Sequence, residues 1–238
     1  MFGISTHCLS NEPLKTALDC LAPLTTYVEV MDDGLHYLLS AELLESYSFQ
    51  YSFHAPARGV NLASQLEPIR KASVEVITGC FEVASEVGAA VVVHPGYFAW
   101  ASEKDRAISQ CQRSLSKLVR EADDAGVTFS VENMPQWEHF FLRRPEDLDL
   151  INGCGLTLDV GHAHLNECLS EFLDVQAVHY HLHDNDGTED SHLAAGMGTI
   201  DFKPVMEAIK NNKATAVIEV NSFEWVTRTI NELGLTLR

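Results

Sequence analysis

Residues 66–96 read LEPIRKASVEVITGCFEVASEVGAAVVVHPG. Up to residue 87 the apolar side chains of Val74, Ile77, Phe81 and Ala84 recur three and four apart, the spacing of an amphipathic helix. Gly88 then stands where a helix stops, and residues 90–94 run through alanine and three valines to His94. The same sentence is spelled again immediately afterwards. A helix is expected over 103–125, Gly126 follows it, and an apolar run over 128–133 carries Glu132 near its end. A unit of helix, glycine stop and buried strand ending on an ionisable residue implies parallel strands joined by crossover helices.

Working outward from these two units, strands are expected at residues 2–7, 27–31, 50–54, 90–94, 128–133, 155–159, 177–182 and 216–220. Weaker helical signals lie at 145–151, 166–173, 203–210 and 223–233. Eight strands alternating with helices in a chain of 238 residues suit one α/β domain spanning residues 1–238, a single (β/α)8 TIM barrel. An open nucleotide-binding sheet would need a glycine-rich turn after the first strand, where this chain has Ser5-Thr6-His7-Cys8.

Composition narrows the function. The chain is 46% hydrophobic and 21% charged, ordinary values for a globular protein. Its formal charge is −18, from 34 acidic against 16 basic residues, which disfavours a nucleic acid partner. No apolar run approaches the roughly 20 residues of a membrane span, and the N-terminus lacks a basic-then-apolar leader. A cytoplasmic protein is expected. Six scattered cysteines form no CxxC pair and read as small core residues. Barrels often pair through their outer helices, so a homodimer is one option, although no exposed apolar stripe stands out.

The ionisable residues fall where the strands stop: His54, His94, Glu132, Asp159, His181 and Glu219 on strands three to eight. That end of a barrel carries its chemistry, while the layers below are expected to be aliphatic. Side chains two apart share a face, so Ser130 points inward with Glu132 and Thr157 with Asp159. A single strand-end His or Glu is usually just a hydrogen-bonded polar residue. Six in register are different, because carboxylates converging on one mouth repel unless a cation joins them. Mixed imidazole and carboxylate donors suit Zn²⁺, Mn²⁺, Co²⁺ or Fe²⁺ better than Ca²⁺.

At these residues the sequence resembles the xylose isomerase-like barrels, which include sugar and sugar-phosphate isomerases and epimerases and the apurinic endonucleases of the endonuclease IV type. The matching segments are His54-Ala-Pro, Asn61-Leu-Ala-Ser, His94-Pro-Gly, Val131-Glu-Asn, Leu158-Asp-Val-Gly-His, His181-Leu-His-Asp-Asn, Asp190-Ser-His, Gly196-Met-Gly-Thr-Ile-Asp and Ile218-Glu. The resemblance implies one divalent ion on Glu132, Asp159, His181 and Glu219. Its endonuclease branch adds ions, one on His94 and Glu132 and another on His162, Asp190 and His192, making one to three Zn, Mn or Co ions in all. The resemblance implies a further His on the second ion where this chain has Ser64, a place left to His54 or water, and a Glu where it has Met197. His179 is expected in a deeper polar layer. His183 should lie nearer the rim, while His7, His36, His139 and His164 are structural or surface residues.

Two chemistries follow. In the first, an isomerase or epimerase acts on a small carbohydrate, Glu132 and Glu219 moving a proton beside a carbonyl. His54, Arg58, His162 and His183 would contact the substrate, Arg58 being the local cation for any phosphate. The alternative is a multi-zinc phosphodiesterase, favoured by His94, His162, Asp190 and His192. It is opposed by the charge and by the acidic loop Asp32-Asp33-Gly34-Leu35-His36. A metal-binding barrel without activity ranks last, since a decayed site would have lost part of its quartet.

Overall fold

In a computed structural model that describes residues 1–237, the apolar runs form eight parallel strands. These are β1 (Phe2–Ser5), β2 (Tyr27–Met31), β3 (Gln50–His54), β4 (Ala90–Val93), β5 (Phe129–Glu132), β6 (Gly155–Asp159), β7 (His179–Leu182) and β8 (Thr215–Ile218). Each pairs with its sequence neighbours, and β1 also pairs with β8 to close the barrel. Register places Glu132 beside Thr157 and Asp159 beside His181, so the polar strand ends sit side by side. Several strands are shorter than their apolar runs. His94 and Glu219 lie one residue past β4 and β8, where the chain is already turning into a loop.

The helices are α1 (Leu14–Leu21), α2 (Glu42–Glu45), α3 (Glu67–Val87), α4 (Lys104–Ala125), α5 (Val160–Leu165), α6 (Leu169–Leu173), α7 (Phe202–Asn212) and α8 (Phe223–Leu233). Gly88 and Gly126 end α3 and α4 in the left-handed conformation, with φ of 66° and 69°. The helix expected at 166–173 is the shorter α6, and a further helix, α5, precedes it outside that range. The Asp159 carboxylate accepts from His162 N–H at 2.7 Å, which starts α5 directly off β6. Residues 145–151 form a 3-10 helix, and α1 and α2 are not among the expected helices, although Leu14, Ala17, Leu18 and Leu21 give α1 the three-and-four spacing of a helix. Among the described residues no helix is long and apolar enough to cross a membrane.

The barrel interior differs from the aliphatic filling expected of its lower layers. Val30, Phe53, Val91, Val131, Leu158 and Leu182 belong to the core packed under the helices. Many of the alternate, inward positions are polar, although Val92 and Val217 are among them too. Ser130 and Thr157 hydroxyls meet at 2.6 Å, His179 Nδ1 meets Thr215 Oγ1 at 2.6 Å, and Ser52 donates to Glu29 at 2.9 Å. These bonds satisfy much of the polar stack from within, and it forms the floor on which the strand-end residues stand.

Candidate metal centre

Glu132, at the end of β5, is buried and joins two clusters. Its Oε1 lies 3.2 Å from His181 Nδ1, while its Oε2 lies 3.1 Å from His54 Nε2 and 3.0 Å from His94 Nε2. On the first side, Glu219 Oε2 stands 3.0 Å and Asp159 Oδ2 3.8 Å from the same His181 Nδ1. Glu132, Asp159, His181 and Glu219 thus bring one donor atom each to within 4.8 Å of one another. His54, His94 and Glu132 meet the same condition, as does a third cluster of His162, His183, Asp190 and His192. In that cluster Asp190 Oδ2 lies 3.1 Å from His162 Nε2 and 3.4 Å from His192 Nε2.

The histidine rings are held with their lone pairs facing inward. A backbone carbonyl can only accept, so a ring nitrogen beside one must carry the proton. His54 Nδ1 donates to Ala55 O at 3.0 Å, His162 Nδ1 to Asn133 O at 2.8 Å, and His192 Nδ1 to Glu219 O at 2.8 Å. Each Nε2 is therefore aimed at its cluster, the arrangement of metal-ligating imidazoles. His192 adopts a φ of 43°, unusual for a side-chain-bearing residue, and the loop that carries it is tied down. The buried Asp184 carboxylate there accepts from the backbone N–H groups of Asn185, Gly196, Gly198 and Ile200 at 2.9–3.1 Å.

The buried carboxylates and imidazoles shift one another strongly. Burial pushes the Glu132 carboxyl up, yet His181 and His94 outweigh it and hold the group well below the carboxylate range. Glu219 is likewise held low against burial by His181 and His192. Burial lowers His54, but the hydrogen bond and charge of Glu132 raise it to about 9, and Asp190 with Glu219 raises His192 to about 9. Burial also opposes charging of His162 and His181, yet Asp159 and Asp190 on one ring and the surrounding glutamates on the other lift both well above 6.5. Protons on these rings balance the carboxylates, and divalent ions fit the same donors in their place.

The expectation for His183 changes, while Ser64 and His54 take defined places. Ser64, standing where the family resemblance implies a His, lies in the turn before α3, its hydroxyl accepting from Leu66 N–H at 3.3 Å. His54 brings its Nε2 to the third corner beside His94 and Glu132, a place from which a ligand or a substrate contact can act. His183, expected nearer the rim, is fully buried: its Nε2 lies 3.0 Å from Asp159 Oδ1, and its ring stacks on His192 at 3.8 Å between centroids. The barrel wall closes over it through Gly161, where an added Cβ would run into the His183 ring. Gly161→Ala should therefore destabilise by about 1–3 kcal/mol, the usual cost of overpacking, and lower the melting temperature by several degrees. A melting curve matching the parent protein would show that His183 yields freely.

Above the clusters opens a cavity of about 740 Å³. Its floor is His54, His94, Glu132, His162, Asp190, His192 and Glu219, and its walls include Met31, Tyr97, Met134, Trp137 and Phe140. Arg58 lines the same cavity, its backbone N–H bound to Asp33 at 2.9 Å. His7, assigned no role from sequence, also reaches it, its Nε2 meeting Asn221 Oδ1 at 2.9 Å. Aromatic and apolar walls over a polar floor suit a ligand with both a carbon face and hydroxyl edges.

A sequence model described as the xylose isomerase-like TIM barrel matches residues 31–235. The chain belongs to that family. Its similarity within the xylose isomerase-like TIM barrels runs in two directions. An uncharacterized protein of Methanocaldococcus jannaschii is 34% identical over 99% of this chain and 96% of its own. A crystal structure of a D-tagatose 3-epimerase-like protein is 30% identical, with a TM-score of 0.89 over 98% of this chain and 95% of that one. A probable endonuclease 4 of Mycobacterium bovis is 27% identical over 75% of this chain and 76% of its own. A protein named as epimerase-like and one named as a probable endonuclease 4 are thus both similar to this chain.

Proposed function

We propose that this protein is a divalent-metal-dependent epimerase or isomerase of a small sugar or sugar phosphate, with Glu132 and Glu219 as the proton-transfer pair. The observation that carries the reading is the quartet: two buried carboxylates, each 3.0–3.2 Å from His181 Nδ1, on the floor of an aromatic-walled cavity. The similarity to a D-tagatose 3-epimerase-like protein supports it. Glu132, Asp159, His181 and Glu219 would hold the ion, which when bound supplies a Lewis acid for adjacent carbonyl and hydroxyl oxygens of the substrate. Glu132 or Glu219 then takes the proton from the carbon beside the carbonyl, and the other returns one. Tyr97 and Trp137 would cover the sugar's carbon face, while His162 and Arg58 reach its oxygens.

The test is proton exchange. Protein loaded with Zn²⁺, Mn²⁺ or Co²⁺ should place deuterium from D₂O at the carbon next to the carbonyl of a ketose, read by NMR. A loaded protein that exchanges no proton on any ketopentose, ketohexose or their phosphates would overturn the reading.

One observation favours a second reading, a multi-zinc phosphodiesterase. Asp190 Oδ2 sits between the Nε2 atoms of His162 and His192, a third donor group that single-ion proton transfer does not require. The formal charge of −18 speaks against a DNA backbone as substrate. His192→Ala separates the two. For a sugar epimerase it should change turnover by no more than several-fold, while in a phosphodiesterase it should abolish cleavage of abasic-site DNA. Loss of sugar turnover by about 100-fold or more would make the third group part of the epimerase itself.

A further inference from the structure

We infer that Glu29, in the middle of β2, is a positioning residue that fixes which nitrogen of His181 faces the metal. This rests on the proposed assignment of His181 as a ligand. Glu29 is fully buried, and among the described residues no lysine or arginine lies within ion-pair distance of it. Its neighbours are imidazoles: Oε1 is 3.0 Å from His181 Nε2, and Oε2 is 3.0 Å from His179 Nε2. Ser52 Oγ donates to Oε2 at 2.9 Å, and His179 is anchored from its far side by Thr215 at 2.6 Å. The ring contacts are short but bent. Glu29 Oε1 and the two Nε2 atoms have no hydrogen bond of good geometry, and the Glu29 carboxylate is the acceptor that stands within 3.0 Å of each ring nitrogen.

His181 needs this because it is oriented opposite to the other rings. His54, His162 and His192 keep the proton on Nδ1 against a carbonyl and present Nε2. His181 presents Nδ1, and that atom faces Glu219, Glu132 and Asp159 at 3.0, 3.2 and 3.8 Å. Three carboxylates pull the ring proton towards Nδ1, which would remove the lone pair a metal requires. A neutral carbonyl behind the ring would lose that competition, whereas a desolvated carboxylate is a far stronger acceptor. Glu29 holds the proton on Nε2, leaves Nδ1 open and makes the ring more basic towards the ion. Ser52 and His179 in turn hold Glu29 in place.

The experiment has two arms. In zinc-loaded protein labelled with ¹⁵N-histidine, His181 should carry its proton on Nε2, and its Nδ1 resonance should be the one shifted by zinc. In Glu29→Gln, zinc affinity measured by competition with a chromophoric chelator should fall about 10–100-fold, with a changed visible spectrum of the cobalt-loaded form. Ser52→Ala, which leaves the carboxylate in place, should weaken zinc less than Glu29→Gln does. Zinc bound through Nε2 of His181 in the parent protein would overturn the proposal even if Glu29→Gln fails to fold. So would a folded Glu29→Gln that binds zinc and cobalt as the parent does. A parent protein that binds no metal would instead sink the proposed function itself.

Discussion

Glu219→Gln should cut turnover of the sugar substrate by at least about 10²-fold and up to about 10⁴-fold, the range a positioned general acid or base contributes. The substitution keeps the shape of the side chain while removing its ability to accept a proton. Although burial favours the neutral acid, His181 and His192 hold Glu219 ionised, the form a base must have. The loss should fall on kcat, since the amide still fills its corner of the cavity and KM should move only several-fold. Metal affinity should weaken with one anionic donor gone. Glu132→Gln should be at least as severe, because Glu132 presents one oxygen to His181 and the other to His54 and His94. Its amide nitrogen would have to face one of those groups. Rates measured at saturating metal check both variants. If either turns over substrate within a few-fold of the parent, the two-glutamate proton relay is wrong.

How legible this site was depends on where in a strand each residue stands. Glu132, Asp159, His181 and Glu219 end apolar runs, and the barrel's geometry gives that position a meaning before any coordinates exist. Glu29 occupies the middle of the run Tyr27-Val-Glu29-Val-Met31, where attention to strand ends passes over it. The signal was present: a lone acid at an inward position of a buried strand needs a partner inside the barrel. His183 shares parity with His181, and parity gives the face but not the depth at which the wall closes over it. His54 was recognisable as a strand-end residue, yet its place beside His94 depends on side-chain reach across β3 and β4. Asp184 was equally hidden, because its partners are backbone N–H groups up to 16 residues away. The eightfold alternation was readable from the two long helices and their glycine stops, whereas α1 and α2 are short segments whose stability comes from tertiary packing.

Stripping the metal should make stability fall as pH rises from about 6.5 to 9, and zinc should reverse the fall. His54 and His192 stand near 9 in the fold against about 6.5 when unfolded. A raised imidazole contributes its stability fully below the unfolded value, and the contribution is lost as pH climbs through the folded one. Glu132, Glu219 and Asp190 act at the other end. Their lowered values stabilise above the ordinary carboxylate range and cease to do so only in strong acid. Chelator-treated protein should thus be most stable near pH 5–6.5 and lose several degrees of melting temperature by pH 9. Above about pH 9 the His54 and His192 rings are neutral and the carboxylates beside them lose that balance. Zinc wants those same neutral rings, so its effect should grow across the interval in which the protons leave. At free zinc of 100 times Kd the gain is about 2.7 kcal/mol, on the order of 5–11 °C for a chain of this size. The check is a set of melting curves at pH 6.5 and 9, with chelator and with zinc. Curves that coincide with and without zinc at pH 9 would mean that this assembly of carboxylates and imidazoles balances its own charge and holds no ion.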